Sequence, residues 1–238
     1  MATITAPAVF CMLKANGISK RYWTRKGWVT ALDNVSLCLP ETGRVALLGP
    51  SGSGKSTLGK ILSLLLRPDS GTVVLDGAPV LRWRTKTPPA LRRQVQLVWQ
   101  SPRLAVDPRM RIKQIILEPM AVQNLVPVKR AERATVLGRW TERVGLTDEL
   151  LDRYPHEISE GQLQRACLAR ALIVQPRYLI CDELSSMLDV STQASLLAAI
   201  RSEQDRRKMG VLLITHDRIL AMHWCDSIAT LSLSRILI

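Results

Sequence analysis

The residues with the most chemistry in them form one run: Gly49, Pro50, Ser51, Gly52, Ser53, Gly54, Lys55, Ser56 and Thr57. The run satisfies G-x-x-x-x-G-K-[ST] between a predicted strand and a predicted helix, the setting in which this pattern cradles phosphates. The three glycines let consecutive N–H groups turn inward. The helix that follows points its positive end at the same spot. Lys55 is placed to reach the β- and γ-phosphates of a nucleotide, and Ser56 offers a hydroxyl to Mg²⁺. The pattern by itself predicts nucleotide binding, which kinases, GTPases, motors and transporters share.

Four further residues belong with it. An apolar stretch over 178–181 ends in Asp182 and Glu183. In P-loop enzymes such an aspartate holds Mg²⁺ and an adjacent glutamate polarises the attacking water. Asp182 is therefore the expected magnesium residue and Glu183 the expected general base. His216 follows a second apolar stretch, 211–214, at the carboxyl end where open α/β sheets bind ligands; a γ-phosphate contact is expected of it. Gln100 follows a third, 95–99, and is placed to sense Mg²⁺ or water.

These residues need strands that end together and a helix behind the loop. Residues 29–39 and 73–75 read as strands, and 44–48 as a strand buried on both faces. Residues 57–66 read as a buried helix ended by Pro68. Residues 112–124, 128–144 and 161–174 carry helical spacing with charged faces. The order is α/β, then all-helical, then α/β again. The economical architecture is a parallel-sheet core (1–105 and 175–238) with a helical insertion (106–174).

Composition excludes several classes. The 238 residues are 47% apolar, which rules out wholesale disorder, and Gly and Pro are ordinary at 13 each. No apolar run approaches the length of a membrane span, and the first 20 residues lack a signal-peptide pattern. Five scattered cysteines without a C-x-x-C pair argue against a zinc site or a disulfide framework. The net charge of +13 sits wholly before residue 114, where 18 basic residues face 5 acidic ones. Such an excess points to nucleic acid, an anionic membrane surface, a phosphate ligand or a solvated face.

The stretch 154–165, with Ser159, Glu160, Gly161 and Gln162 at its centre, opens a helix with an S-x-x-Q cap. It also resembles the L-S-G-G-Q signature of ATP-binding-cassette (ABC) ATPases. The P-loop, Gln100, this signature, Asp182-Glu183, residues 186–189 as a D-loop, and His216 then stand in that family's order. The resemblance implies a P-loop NTPase core with an N-terminal antiparallel β subdomain and an inserted α-helical subdomain. It implies ATP and Mg²⁺, and a head-to-tail dimer with a second ATPase chain, a heterodimer by preference. In that dimer each ATP lies between one chain's P-loop and Ser159, Gly161, Gln162 and Asp189 of the other. An aromatic stacks on adenine: Tyr22, with Trp23 and Trp28 as rivals. Two membrane-spanning permease subunits and, indirectly, an extracytoplasmic substrate-binding protein are the implied partners, with no nucleic acid. The implied place is the cytoplasmic face of the bacterial inner membrane. Residues 98–109 and 115–119 resemble the peptide/nickel importer branch, and 161–171 look closest to its nickel-type ATPases. A soluble ABC ATPase acting on nucleic acid and an exporter ATPase stay open as alternatives.

Three departures from the family pattern carry expectations. Glu160 replaces the first glycine of the signature, so a like charge is expected to weaken the composite nucleotide site. Leu184 stands where the family usually has Pro, which is expected to loosen the turn after Glu183. The chain stops at residues 234–238, which resemble the family's final strand without the usual extension. The basic run from Arg82 to Lys113, nine cations against Asp107, is expected to face acidic permease groups or lipid headgroups through Arg103, Arg109 and Arg111.

Overall fold

The computed structural model describes residues 11–25, 27–83, 86–127, 129–184, 189–232 and 235–237. The chain divides into two compact units, residues 1–86 with 208–238, and residues 87–207. The second unit begins ahead of residue 106 and holds strands as well as helices.

In the first unit, β1 (Cys11–Thr24) and β2 (Gly27–Pro40) form an antiparallel hairpin. Its buried face carries Leu13, Ala15 and Ile18 from β1 and Leu32, Val35, Leu37 and Leu39 from β2. The strands β4 (Ser70–Leu75) and β5 (Ala78–Pro79) extend it in the order β2-β1-β4-β5. A parallel set lies in the same unit. There β3 (Gly43–Leu48) pairs with β8 (Gly210–Ile214) on one side and β9 (Ser227–Ser232) on the other, and β10 (Arg235–Leu237) returns antiparallel to β9. Every residue of β8 is buried, as an apolar run between two covered faces requires.

The helix after the phosphate loop, α1 (Lys55–Leu62), is shorter than its sequence pattern. Leu64 is fully buried and adopts φ 63°. The N–H groups of Leu65 and Leu66 then both return to the Lys60 carbonyl, at 2.9 and 3.1 Å. Burial of Leu64 thus closes the helix well before Pro68, through a left-handed C-terminal turn. Cys38 is disulfide-bonded, whereas Cys167, Cys181 and Cys225 are not. The cysteine pattern argues against a disulfide framework, and spacing carries no record of which strands pair.

In the second unit, α2 (Pro89–Gln94) leads into β6 (Val95–Val98), which pairs in parallel with β7 (Tyr178–Asp182) from Val95↔Tyr178 to Val98↔Cys181. The helices α3 (Pro102–Ala105), α4 (Ile112–Val122) and α5 (Arg130–Val144) pack around α6 (Glu160–Leu172). The sequence pattern did not show α7 (Val190–Arg207). It buries Glu203 and Gln204 beside Leu196, Leu197 and Ile200, and two buried polar residues blur its apolar stripe. Among the described residues no helix is long and apolar enough to cross a membrane.

Glu203 is the polar anchor between α7 and α5. Its side chain is 4% exposed and meets Arg207 Nε at 3.0 Å, Arg143 Nη1 at 3.4 Å and Arg206 Nε at 3.7 Å. The Trp140 ring lies near both Arg143 and Arg207, 4.7 and 5.8 Å from their guanidinium carbons. Burial lowers the Arg143 pKa more than Glu203 raises it, so that cation depends on its carboxylate. Glu203→Gln strands these charges. It is expected to lower stability by about 2–3 kcal/mol, read by urea denaturation; an unchanged midpoint would show that the cluster is solvated.

Candidate functional site

The phosphate loop lies in the first unit. Strand β3 delivers the chain to Gly49, and α1 receives it at Lys55. Gly54 has φ 101°, and a Cβ there would stand 2.2 Å from the Ala31 carbonyl oxygen; one at Gly49 would stand 2.2 Å from that of Leu231. The backbone of β2 and β9 therefore presses on the loop at both glycines, leaving no room for side chains. Gly54 provides no side-chain cap, and the first turn of α1 holds no acidic residue. The positive end of that helix is thus left for an anion. Lys55 is 5% exposed and its Nζ donates to the Gly49 and Pro50 carbonyls, each at 2.9 Å. The Ser53 hydroxyl is buried without a hydrogen-bond partner. An orphaned buried hydroxyl in this glycine-rich turn fits a phosphate oxygen.

Two other residues expected at the site belong to the same unit. Tyr22, on β1, is 39% exposed. Trp23 and Trp28 pack edge to face across the hairpin, with centroids 5.3 Å apart, and Arg21 lies over Trp28. Among the described residues Tyr22 stacks on no other ring, and Lys20 Nζ lies 5.9 Å from its centroid. His216 is exposed just past β8. The turn that carries it is fixed on both sides: Thr215 N–H donates to the Leu47 carbonyl at 3.2 Å, and the Asp217 carboxylate caps α8 (Arg218–Trp224) through Leu220 N–H at 2.9 Å.

The second unit holds the acidic pair. Asp182 ends β7 and is 3% exposed. Glu183 has φ 47°, a left-handed conformation costly for a residue with a side chain. The Gln100 amide donates to Glu183 Oε2 at 3.0 Å. Gln100 and Glu183, 83 positions apart in the chain, are thus brought into contact. Leu184 is 6% exposed.

The segment after Gln100 is laced to α6. The Gln164 amide donates to the Trp99 carbonyl at 3.1 Å, and Arg170 Nη1 donates to that of Ala105 at 2.8 Å. At the start of α6, Ser159 Oγ accepts from Gln162 N–H at 3.2 Å and Gln162 Oε1 accepts from Ser159 N–H at 2.9 Å. That is the reciprocal cap the sequence predicts. Gly161 lies in the first turn.

Two charged features expected from the sequence have partners in the fold. Glu160 is not a bare charge: Arg103 Nε meets its Oε2 at 2.9 Å. Four cations of the basic run also have carboxylate partners, while Arg103, Arg109 and Arg111 keep 46%, 88% and 43% of their side chains exposed. Arg103 is paired with Glu160, Arg109 with Asp107 at 3.1 Å, and Arg111 and Lys113 with Asp152 at 3.7 and 2.5 Å. Linear sequence hid these carboxylates because all but Asp107 lie tens of residues away.

Residues 186–188 of the expected D-loop lie outside the described residues. Asp189 is described, and it caps α7: its carboxylate accepts from Ser191 Oγ at 2.6 Å, Thr192 N–H at 2.9 Å and Thr192 Oγ1 at 2.8 Å. A D-x-S-T pattern at 189–192 was a legible sign of this cap. Burial pushes the Cys167 and Cys225 thiols up to about 12, so neither is a thiolate nucleophile near neutral pH.

Comparison with known proteins supplies the relatives. The ABC transporter family profile matches residues 32–186. A putative peptide import ATP-binding protein of Brucella ovis is 37% identical over 227 residues, covering 95% of this chain and 71% of that protein. The nickel import ATP-binding protein NikE of Escherichia coli is 40% identical over 197 residues, covering 83% and 73%. Among solved structures, the dimeric post-hydrolysis state of the ATP-binding cassette MJ0796 bound to ADP and Pi superposes with TM-score 0.83 at 26% identity, covering 94% of this chain and 96% of that one. The fold is shared with cbiO1 of Clostridium perfringens, part of the ABC transporter complex cbiONQ, at TM-score 0.78 and 24% identity over 95% and 87%.

The Asp189 cap yields a pH test. The Ser191 hydroxyl, then the Thr192 N–H and hydroxyl, hold the Asp189 carboxyl far below the usual carboxylate range. A depressed folded pKa means that the cap contributes fully above the unfolded value of about 3.9 and is lost as pH falls through the folded one. The stability gap between wild type and Asp189→Ala is therefore expected to be constant above about pH 5 and to narrow below about pH 4. Denaturation series at several pH values measure it; a gap that widens in acid contradicts the assignment.

Proposed function

This chain belongs to the ABC transporter family, as an ATP-hydrolysing cassette of the peptide/nickel importer kind, and we propose that it drives uptake of a peptide, nickel or a metal chelate. It would do so as one ATPase of a head-to-tail pair, a heterodimer by preference. The pair would sit beneath two permease subunits on the cytoplasmic face of the inner membrane, served by an extracytoplasmic binding protein. The observation that carries the catalytic part is the 3.0 Å hydrogen bond from Gln100 to Glu183. It joins the residue expected to activate water to the residue expected to position it. The names of the peptide and nickel import relatives support the cargo classes.

In this reading Tyr22 stacks on adenine. The N–H groups of 49–57 and Lys55 hold the phosphates, with Ser53 giving its unpartnered hydroxyl to a phosphate oxygen. The Ser56 hydroxyl and the Asp182 carboxylate are hard oxygen donors of the kind Mg²⁺ takes, with Gln100 as a further amide oxygen. Bound there, Mg²⁺ would neutralise charge on the β- and γ-phosphate oxygens. Glu183 takes the proton of the attacking water as its oxygen bonds to the γ-phosphorus and the bond to ADP breaks. His216 donates to the γ-phosphate as charge moves. Ser159, Gly161 and Gln162 of α6, with Asp189, serve the nucleotide held by the partner chain.

Glu183→Gln keeps the Gln100 contact sterically but removes the base. It is expected to slow hydrolysis at least about 100-fold while ATP still binds, read by phosphate release and nucleotide titration. Hydrolysis at the wild-type rate would overturn the role of Glu183. Uptake of labelled nickel against labelled dipeptide by the reconstituted complex separates the cargoes.

A further inference from the structure

We infer that Arg103 is a positioning residue that neutralises Glu160, making an acidic α6 N-terminus usable as a nucleotide contact; this rests on the reading of α6 given above. Glu160 is the first residue of α6. A full negative charge there outweighs the half-charge of the helix dipole and repels a phosphate. Arg103 removes that imbalance with three nitrogens aimed at one turn. Its Nε donates to Glu160 Oε2 at 2.9 Å, Nη1 to the Pro155 carbonyl at 3.0 Å and Nη2 to the Ile158 carbonyl at 3.3 Å. A planar guanidinium fixed at three points holds the carboxylate in one place, which a lysine cannot do.

The support for Arg103 is itself built in. Trp99 and Ala105 bracket Arg103 and are each tied to α6 by a side chain of that helix, Gln164 and Arg170. Arg170 is in turn paired with Glu118 of α4 at 2.8 Å. The Arg103 side chain therefore arrives at Glu160 on a segment already fastened to the helix it serves. The same segment carries Gln100, whose amide holds Glu183. The side chains of the pair are 46% and 27% exposed, so salt should weaken it.

The test is a double-mutant cycle in the assembled complex: wild type, Arg103→Ala, Glu160→Gly and the double variant of this chain, each titrated with Mg-ATP for hydrolysis. Arg103→Ala is expected to lower kcat/KM about tenfold, the effect of one charge-assisted contact. The double variant should match the Glu160→Gly variant rather than fall below it, because without the carboxylate no cation is needed. Melting temperatures report folding separately. Wild-type turnover in Arg103→Ala would overturn the inference. So would a defect that Glu160→Gly fails to rescue, since Arg103 would then be only a prop for the two carbonyls. A Glu183→Gln control separates the two levels. If it is inactive while the cycle is flat, the inference alone fails; if it hydrolyses ATP normally, the reading of the site fails and this inference with it.

Discussion

A loop that is to wrap a phosphate must turn its N–H groups inward and keep them there without side chains of its own in the way. Gly54 is where this fold imposes that condition. The Ala31 carbonyl of β2 would lie 2.2 Å from any Cβ at that position, so the loop can approach the antiparallel hairpin only as bare backbone. Strand β3, held between β8 and β9, fixes the loop's entry, and the Leu58 N–H to Gly54 carbonyl bond at 2.9 Å fixes its exit into α1. The buried Ser53 hydroxyl and the Lys55 ammonium are consequences of that backbone path.

The second unit solves a different problem, which is to aim a carboxylate. Glu183 adopts a left-handed φ that its own residue type disfavours, and such strain persists only when neighbours over-determine it. Asp182 buried before it, Leu184 buried after it and the Gln100 amide at its oxygen supply that determination. Gln100 belongs to a segment bound to α6 at Trp99, Arg103 and Ala105. A run of hydrogen bonds therefore connects α6 to the residue that holds the carboxylate proposed as base. Each of those bonds can be cut singly.

The parts legible in the sequence are those set by neighbours in the chain. The phosphate loop, the buried strands at 44–48 and 211–214, and the Ser159–Gln162 cap depend on patterns a few residues long, and the structure places them where the patterns put them. The misread features depend on distant partners. Leu64 ends α1 because its side chain is drawn into the core. The charge on Glu160 is cancelled by a residue 57 positions earlier. The cations at Arg103, Arg111 and Lys113 looked unpaired because their carboxylates come from 152 and 160. The helix α7 was hidden by Glu203, a charged residue buried for the sake of Arg143 and Arg207. Residue types announced the chemistry, while its electrostatic balance was written in contacts that only folding creates.

The proposed ATP site depends on the loop backbone as the phosphate holder. Nucleotide titration of Gly54→Ala, with circular dichroism to confirm the fold, tests this most directly. A methyl group driven against the Ala31 carbonyl must displace the loop. ATP affinity is predicted to fall more than about tenfold, as about 1.4 kcal/mol of displaced contact would produce, with the fold intact. A folded Gly54→Ala protein that binds ATP as tightly as wild type would contradict the account.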